Sequence, residues 1–172
     1  MSFEFTNSID DYIKAYDYID RHKPDRYFKF YIVPRIIAPL FQLLCIIYAF
    51  VNYDFYQVIR STIIGFIGLV IIFIALKTYY KNRNKQISDW KIDKPYLFDK
   101  KTITLNINTL TYIDKHQTRE IELSLFDKVV EEDSLIYIFG SNYNLYLVIP
   151  KNTFNDFSEQ TLFINKIKGL NN

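Results

Sequence analysis

"STIIGFIGLVIIFIALK", Ser61 to Lys77, runs sixteen residues without a charge before a lysine closes it. A helix rises about 1.5 Å per residue, so a hydrocarbon core of about 30 Å takes roughly 20 residues to cross. The run reaches that length if Val58 and Ile59 join it and the long stems of Arg60 and Lys77 stretch outward to water. Upstream, "IIAPLFQLLCIIYAFVNY", Ile36 to Tyr53, is a second uncharged run, lengthened by Val33 and its neighbours. Only "DFYQVIR" separates the two. The core helix of a soluble protein keeps a polar face, and these runs have almost none. The expectation is a transmembrane hairpin over residues 31–80, with spans at about 33–53 and 58–77. The alternative is a buried helical hairpin.

The flanks set an orientation. Arg21, Lys23, Arg26, Lys29 and Arg35 precede the first run, and Lys77, Lys81, Arg83 and Lys85 follow the second, while the connection holds one cation, Arg60. Cytoplasmic segments collect Lys and Arg, so both termini are expected inside. Tyr48 and Tyr53 on one side, and Tyr79 and Tyr80 on the other, suit aromatic belts. Arg35, Lys77, Lys81, Arg83 and Lys85 are also candidates for contact with anionic lipid headgroups.

Each run carries a stripe of small or polar residues. Ala38, Gln42, Cys45, Ala49 and Asn52 step by four and three, as do Ser61, Gly65, Gly68 and Ala75 apart from an interruption at Ile72. Helices in lipid associate by close packing of small residues and a few polar contacts. The two stripes are therefore expected to face each other within one chain, with Gln42 turned inward. The alternative is that one stripe seals a homodimer or receives a partner's helix.

Residues 1–30 read as a short strand, "FEF", and an amphipathic helix, "NSIDDYIKAYDYIDRHKP". Asn7 or Ser8 can cap its first turn, where Asp10 and Asp11 suit the positive end of the dipole. Its apolar face is expected to pack on a folded domain rather than lie on the membrane, because Asp10, Asp11, Asp17 and Asp20 repel an anionic leaflet. After Lys85 the apolar period changes to two. "TITLNINTLTYI" puts Ile103, Leu105 and Ile107 on one face, and "REIELSLF" repeats the pattern with Ile121, Leu123 and Leu125. "SLIYIFG" and "NLYLVIP" are continuously apolar, with hairpin-turn chemistry in "GSNYN" between them. A closing helix has its period through Phe157, Ile164 and Ile167. Residues 96–172 are thus expected to form an antiparallel β-rich domain closed by a C-terminal helix. The whole reads as an α+β membrane protein with that domain in the cytoplasm.

Composition excludes several chemistries. Among 172 residues a net charge of +2 is too small to argue for nucleic acid. The single cysteine forms no disulfide within the chain, and its place inside an apolar run suits packing better than nucleophilic attack. His22 and His116 have no metal-spaced partners. Four glycines, at 65, 68, 140 and 169, make no phosphate-cradling loop. "EED", Glu131 to Asp133, is read as a solvated turn ahead of a divalent-cation site. No catalytic residue, metal site or cofactor is expected.

The order of parts resembles the YcxB-like family of bacterial membrane proteins. The likeness is carried by "FEF", "DDYIKA", "PRIIAPL", the two spans and the tail "LFDKVVEEDSLIYIFGSNYNLYLVIPKNTF", with its Ile149-Pro150-Lys151 motif and Phe154. The resemblance implies a pleckstrin-homology-like cytoplasmic domain and supplies no activity. The expected function is a small non-catalytic inner-membrane protein in contact with membrane lipid, whose cytoplasmic domain docks a protein or lipid partner. An immunity protein that neutralises a membrane-targeting toxin, through the bilayer or the loop "NYDFYQVIR", is one alternative. An accessory subunit of a transporter is another, with Gln42 as its only intramembrane polar hint.

Overall fold

A computed structural model describes residues 1–51 and 55–169, without the side chain of Ala49. It is an α+β chain of two long apolar helices and two antiparallel sheets. The elements run β1 (Ser2–Phe5), α1 (Ile9–His22), α2 (Pro24–Tyr27), a π-helical segment (Phe28–Ile37), α3 (Ala38–Val51) and α4 (Phe55–Asp93). Then come β2 (Lys101–Leu105), β3 (Thr109–Ile113), β4 (Thr118–Glu122), β5 (Lys128–Glu132), β6 (Leu135–Gly140), β7 (Asn144–Pro150) and α5 (Phe157–Lys168). The chain divides into two compact units, Met1–Asp17 with Gln86–Asn172, and Tyr18–Lys85.

The first unit is the β unit. One sheet has the order β1-β2-β3-β4 and the other β5-β6-β7. "FEF" pairs with β2, Phe3 opposite Ile103 and Phe5 opposite Lys101. Alternation explains the burial: Phe3, Phe5, Ile103, Leu105, Leu110 and Tyr112 face the core, and β6 is buried along its whole length. Phe154, just past the Ile-Pro-Lys motif, meets Phe3 at 4.8 Å and Phe163 of α5 at 5.3 Å between ring centroids. α5 is capped by Asp156, whose carboxylate accepts the Glu159 N–H at 2.8 Å. Gln160 of the same helix donates to Glu131 at 2.9 Å, so one acid of "EED" ties α5 to β5. Among the described residues no cluster of three ligating side chains suits a metal ion.

Three expectations change here. "TITLNINTLTYI" is two strands rather than one: Asn106 N–H donates to the Thr109 carbonyl, and Ile107 stands in the turn, 79% exposed. Asparagine on both sides of Ile107 favours that reversal over a continuous strand. "REIELSLF" ends as a strand at Glu122 and turns into a 3-10 segment over Leu123–Leu125, which buries Leu123 and exposes Leu125. Phe157 opens α5 on its exposed side, and the buried face is Gln160, Phe163, Ile164 and Ile167.

The second unit is helical. Pro24–Tyr48 and Phe55–Asp93 are long and apolar enough to cross a membrane by length and composition, and their most apolar stretches are not buried. Helix begins well before the expected 33, because Pro24 sits at the first helical position, where its missing N–H costs nothing. Pro34 lies inside the π-helical segment, whose wider turn accommodates a residue that cannot donate. At the other end α4 continues to Asp93, eight residues past the Lys85 where a strand period was expected to take over. Ile87, 1% exposed, anchors those added turns.

Candidate functional site

Within the helical unit the stripes can be placed residue by residue. Ala38, Gln42 and Cys45 of α3 and Ser61, Gly65 and Gly68 of α4 line one hollow of about 290 Å³, together with Ile72. Gln42 donates to the Thr62 carbonyl at 3.4 Å, and its side chain fills the space over Gly65, where a Cβ would come within 2.5 Å of Gln42 Cδ. Gly68 has open space in the same direction. Ala75 is exposed and takes no part; Ile72, which interrupts the stripe in sequence, is the residue facing inward. Asn52 and the side chain of Ala49 lie outside the described residues.

Of the flanking cations, Arg35, Lys77, Lys81 and Lys85 are exposed. Arg83 is not. It is 8% exposed and donates from Nη1 to Asp20 Oδ2 at 2.6 Å. Asp20 is fully buried and also accepts from Arg26 at 2.7 Å and from the Tyr79 hydroxyl at 3.3 Å. Arg83 therefore serves an internal ion pair rather than a lipid headgroup, and Asp20 is no longer a surface acid that repels lipid. Helical spacing from Arg83 back to Tyr79 and Tyr80 explains the geometry: residues three and four apart share a face.

The larger concavity belongs to the β unit, a cleft of about 670 Å³. One wall is β4, through Arg119, Glu120 and Ile121, and another is β7, from Asn144 to Val148. Side chains alternate along a strand, so consecutive lining residues mean that each strand meets the cleft along its edge. β4 and β7 are the end strands of their sheets. The remaining walls are aromatic. Trp90, in the last turn of α4, meets Tyr12 at 6.0 Å and Tyr16 at 5.6 Å edge to face, and Lys94 lies 5.1 Å over its ring. Tyr12, Tyr112 and Asn7 form the buried floor. Burial raises both tyrosine pKa values, so these hydroxyls stay protonated; Tyr12 spends its proton on the Leu97 carbonyl at 3.2 Å.

Lys101 also lines this cleft, at 2% exposure. Its ammonium donates to Asn7 Oδ1 at 3.1 Å, to the Asp99 carbonyl at 3.3 Å and to the Leu97 carbonyl. All three acceptors are neutral, and among the described residues no carboxylate forms an ion pair with it. Burial pushes its pKa down to about 8, against the longer-range pull of Asp114, Asp99 and Asp11. Asn7 holds the site from the other side, donating to the Val148 carbonyl on the free edge of β7 at 2.9 Å. It is thus a cleft residue and not the helix cap; Ser8 caps α1, its hydroxyl accepting from Asp11 N–H while Asp11 accepts from Ser8 N–H.

None of the cleft residues stands among the sequence-derived candidates. One signal was present: in "KTITL" the lysine is in phase with Ile103 and Leu105, which places it on the core side of the strand. Against family models, curated proteins and solved structures, the chain finds no match.

Proposed function

We propose that the chain is a small, non-catalytic, two-pass protein of a bacterial cytoplasmic membrane, with the β unit in the cytoplasm as a docking module. The observation that carries this reading is the uncovered apolar surface of α3 and α4. Phe41, Phe66 and Phe73 are each about two-thirds exposed (67%, 65% and 69%), with leucines and isoleucines between them. Monomeric soluble proteins rarely leave an apolar patch beyond a few hundred Å² in water, and hydrocarbon is the solvent that removes the cost. Exposed Arg35, Lys77, Lys81 and Lys85 stand where a cytoplasmic face collects cations. A four-stranded and a three-stranded antiparallel sheet followed by one helix suit a pleckstrin-homology-like domain and the YcxB-like resemblance.

The docking role rests on the cleft. Its volume lies within the roughly 300–1,000 Å³ of ordinary ligand sites, and its walls combine aromatic rings with charge. The partner is a protein or a lipid. Photo-crosslinking amino acids placed at Lys94 and Asn144 on the rim, and at exposed Leu162 on α5 as a control, test this in intact cells. A single discrete adduct from the two rim positions and none from the control is the expected outcome. Equal labelling from all three, or none from the rim, removes the docking role.

A further inference from the structure

Lys101 is a buried cation with neutral partners only, and it borders an open cleft. Burying a charge without a countercharge is costly. Asp114, Asp99 and Asp11 act on it from longer range, and none of them forms an ion pair with it. The cleft contributes two more cations, Lys94 and Arg119, against one acid, Glu120. That acid is engaged by the Thr109 hydroxyl, which donates to it at 2.7 Å. Among the side chains that line the cleft, cations exceed acids by two, and they stand beside an aromatic wall.

We infer that the cleft binds a small organic anion, a carboxylate or phosphate carried on a flat apolar body. The anion sits between the rim cations Lys94 and Arg119, in the field of Lys101, whose three N–H groups are held by Asn7, Leu97 and Asp99, and the flat body lies against Trp90, Tyr12 and Tyr16. Aromatic edges and faces favour stacked or T-shaped contact with a ring, and a negative group near a desolvated ammonium gains more than it would in water. The inference goes beyond the docking of a protein or lipid by giving the same cleft a small-molecule ligand, and it rests on the cleft being a binding site. It does not depend on the membrane sidedness of the chain.

Trp90 is the only tryptophan, so its fluorescence reports on this wall alone. Full-length protein in detergent is titrated at pH 7 with phenyl phosphate, benzyl alcohol, inorganic phosphate and glycerol phosphate. Phenyl phosphate is expected to give a saturable change with an affinity at least tenfold above that of the other three. Lys101→Met is expected to weaken it tenfold or more. Because Lys101 also holds neighbouring carbonyls, the exposed pair Lys94→Gln and Arg119→Gln gives a second variant that leaves the floor intact, with a severalfold loss and a flatter salt dependence expected. Benzyl alcohol binding as tightly as phenyl phosphate would overturn the anion. Glycerol phosphate binding as tightly would overturn the flat body in favour of a lipid headgroup. An absence of saturable change with all four probes, or full affinity in both variants, overturns the inference altogether. A rim crosslink in cells together with silent Trp90 would sink this ligand class while leaving the docking role standing.

Discussion

Asp20 and Lys101 are two buried charges with opposite situations, and they answer differently to perturbation. Asp20 has both arginines and a phenol around it, so removing it takes the carboxylate of the ion pair from a buried Arg83. Asp20→Ala is expected to cost about 3–5 kcal/mol of stability in the helical unit, read as the shift in detergent-solubilised thermal or denaturant unfolding. Arg26→Ala should cost about 1 kcal/mol or less, because Arg26 is 37% exposed. Lys101 has a folded-state pKa of about 8, below the ordinary lysine value. Between that value and the unfolded one the unfolded chain binds more protons, so the penalty of the buried ammonium is present below pH 8 and is relieved as pH rises. Unfolding of the β unit in urea at pH 7.5, 8.5 and 9.5 should show stability rising relative to Lys101→Met, in which the slope disappears. A falling difference would mean that the ammonium is paired. The lysine's position was legible in the alternation of "KTITL"; that its neighbours are carbonyls at Leu97 and Asp99 was not, because those contacts depend on the path of the chain through a 3-10 turn over Pro95–Leu97 and the residues just after it, which no local pattern specifies.

Elements were read with uneven success, for reasons that can be named. The apolar runs, "FEF", "SLIYIFG" and "NLYLVIP" could be placed because burial on one face or on both leaves a periodic or continuous signature. Leu125 and Phe157 misled because the apolar period runs on past the point where turn chemistry ends the strand or the cap begins the helix. The cleft was invisible for a different reason: it is assembled from β4, β7, α1 and the last turn of α4, which lie far apart along the chain. The two helix glycines separate packing from propensity. Gly65→Val must displace Gln42 and is expected to loosen the hairpin. Gly68→Ala meets open space and should be neutral or stabilising by up to about 1 kcal/mol, the ordinary gain of alanine over glycine in a helix. Spin labels on α3 and α4, read as an interhelical distance distribution, distinguish the two. Equal broadening in both variants would mean that Gln42 over Gly65 does not set the contact. Ser8→Ala, which removes the α1 cap, should cost about 1 kcal/mol in the β unit.

At the scale of the molecule, one stretch of solvent governs everything else. The proposed membrane placement rests on helices long and apolar enough to cross a bilayer, whose apolar stretches are not buried, and on a β unit whose charged, aromatic cleft is costly to place in hydrocarbon. The proposed placement, apolar helices in lipid and the β unit in water, meets both conditions. The direct measurement is alkaline carbonate extraction of membranes from cells producing the full chain, followed by size analysis of any released material in detergent-free buffer. Complete retention in the pellet, with solubilisation only by detergent, is the expected result. Release by carbonate as a monodisperse species that stays in plain buffer would contradict the membrane placement, and with it the proposed sides of the chain.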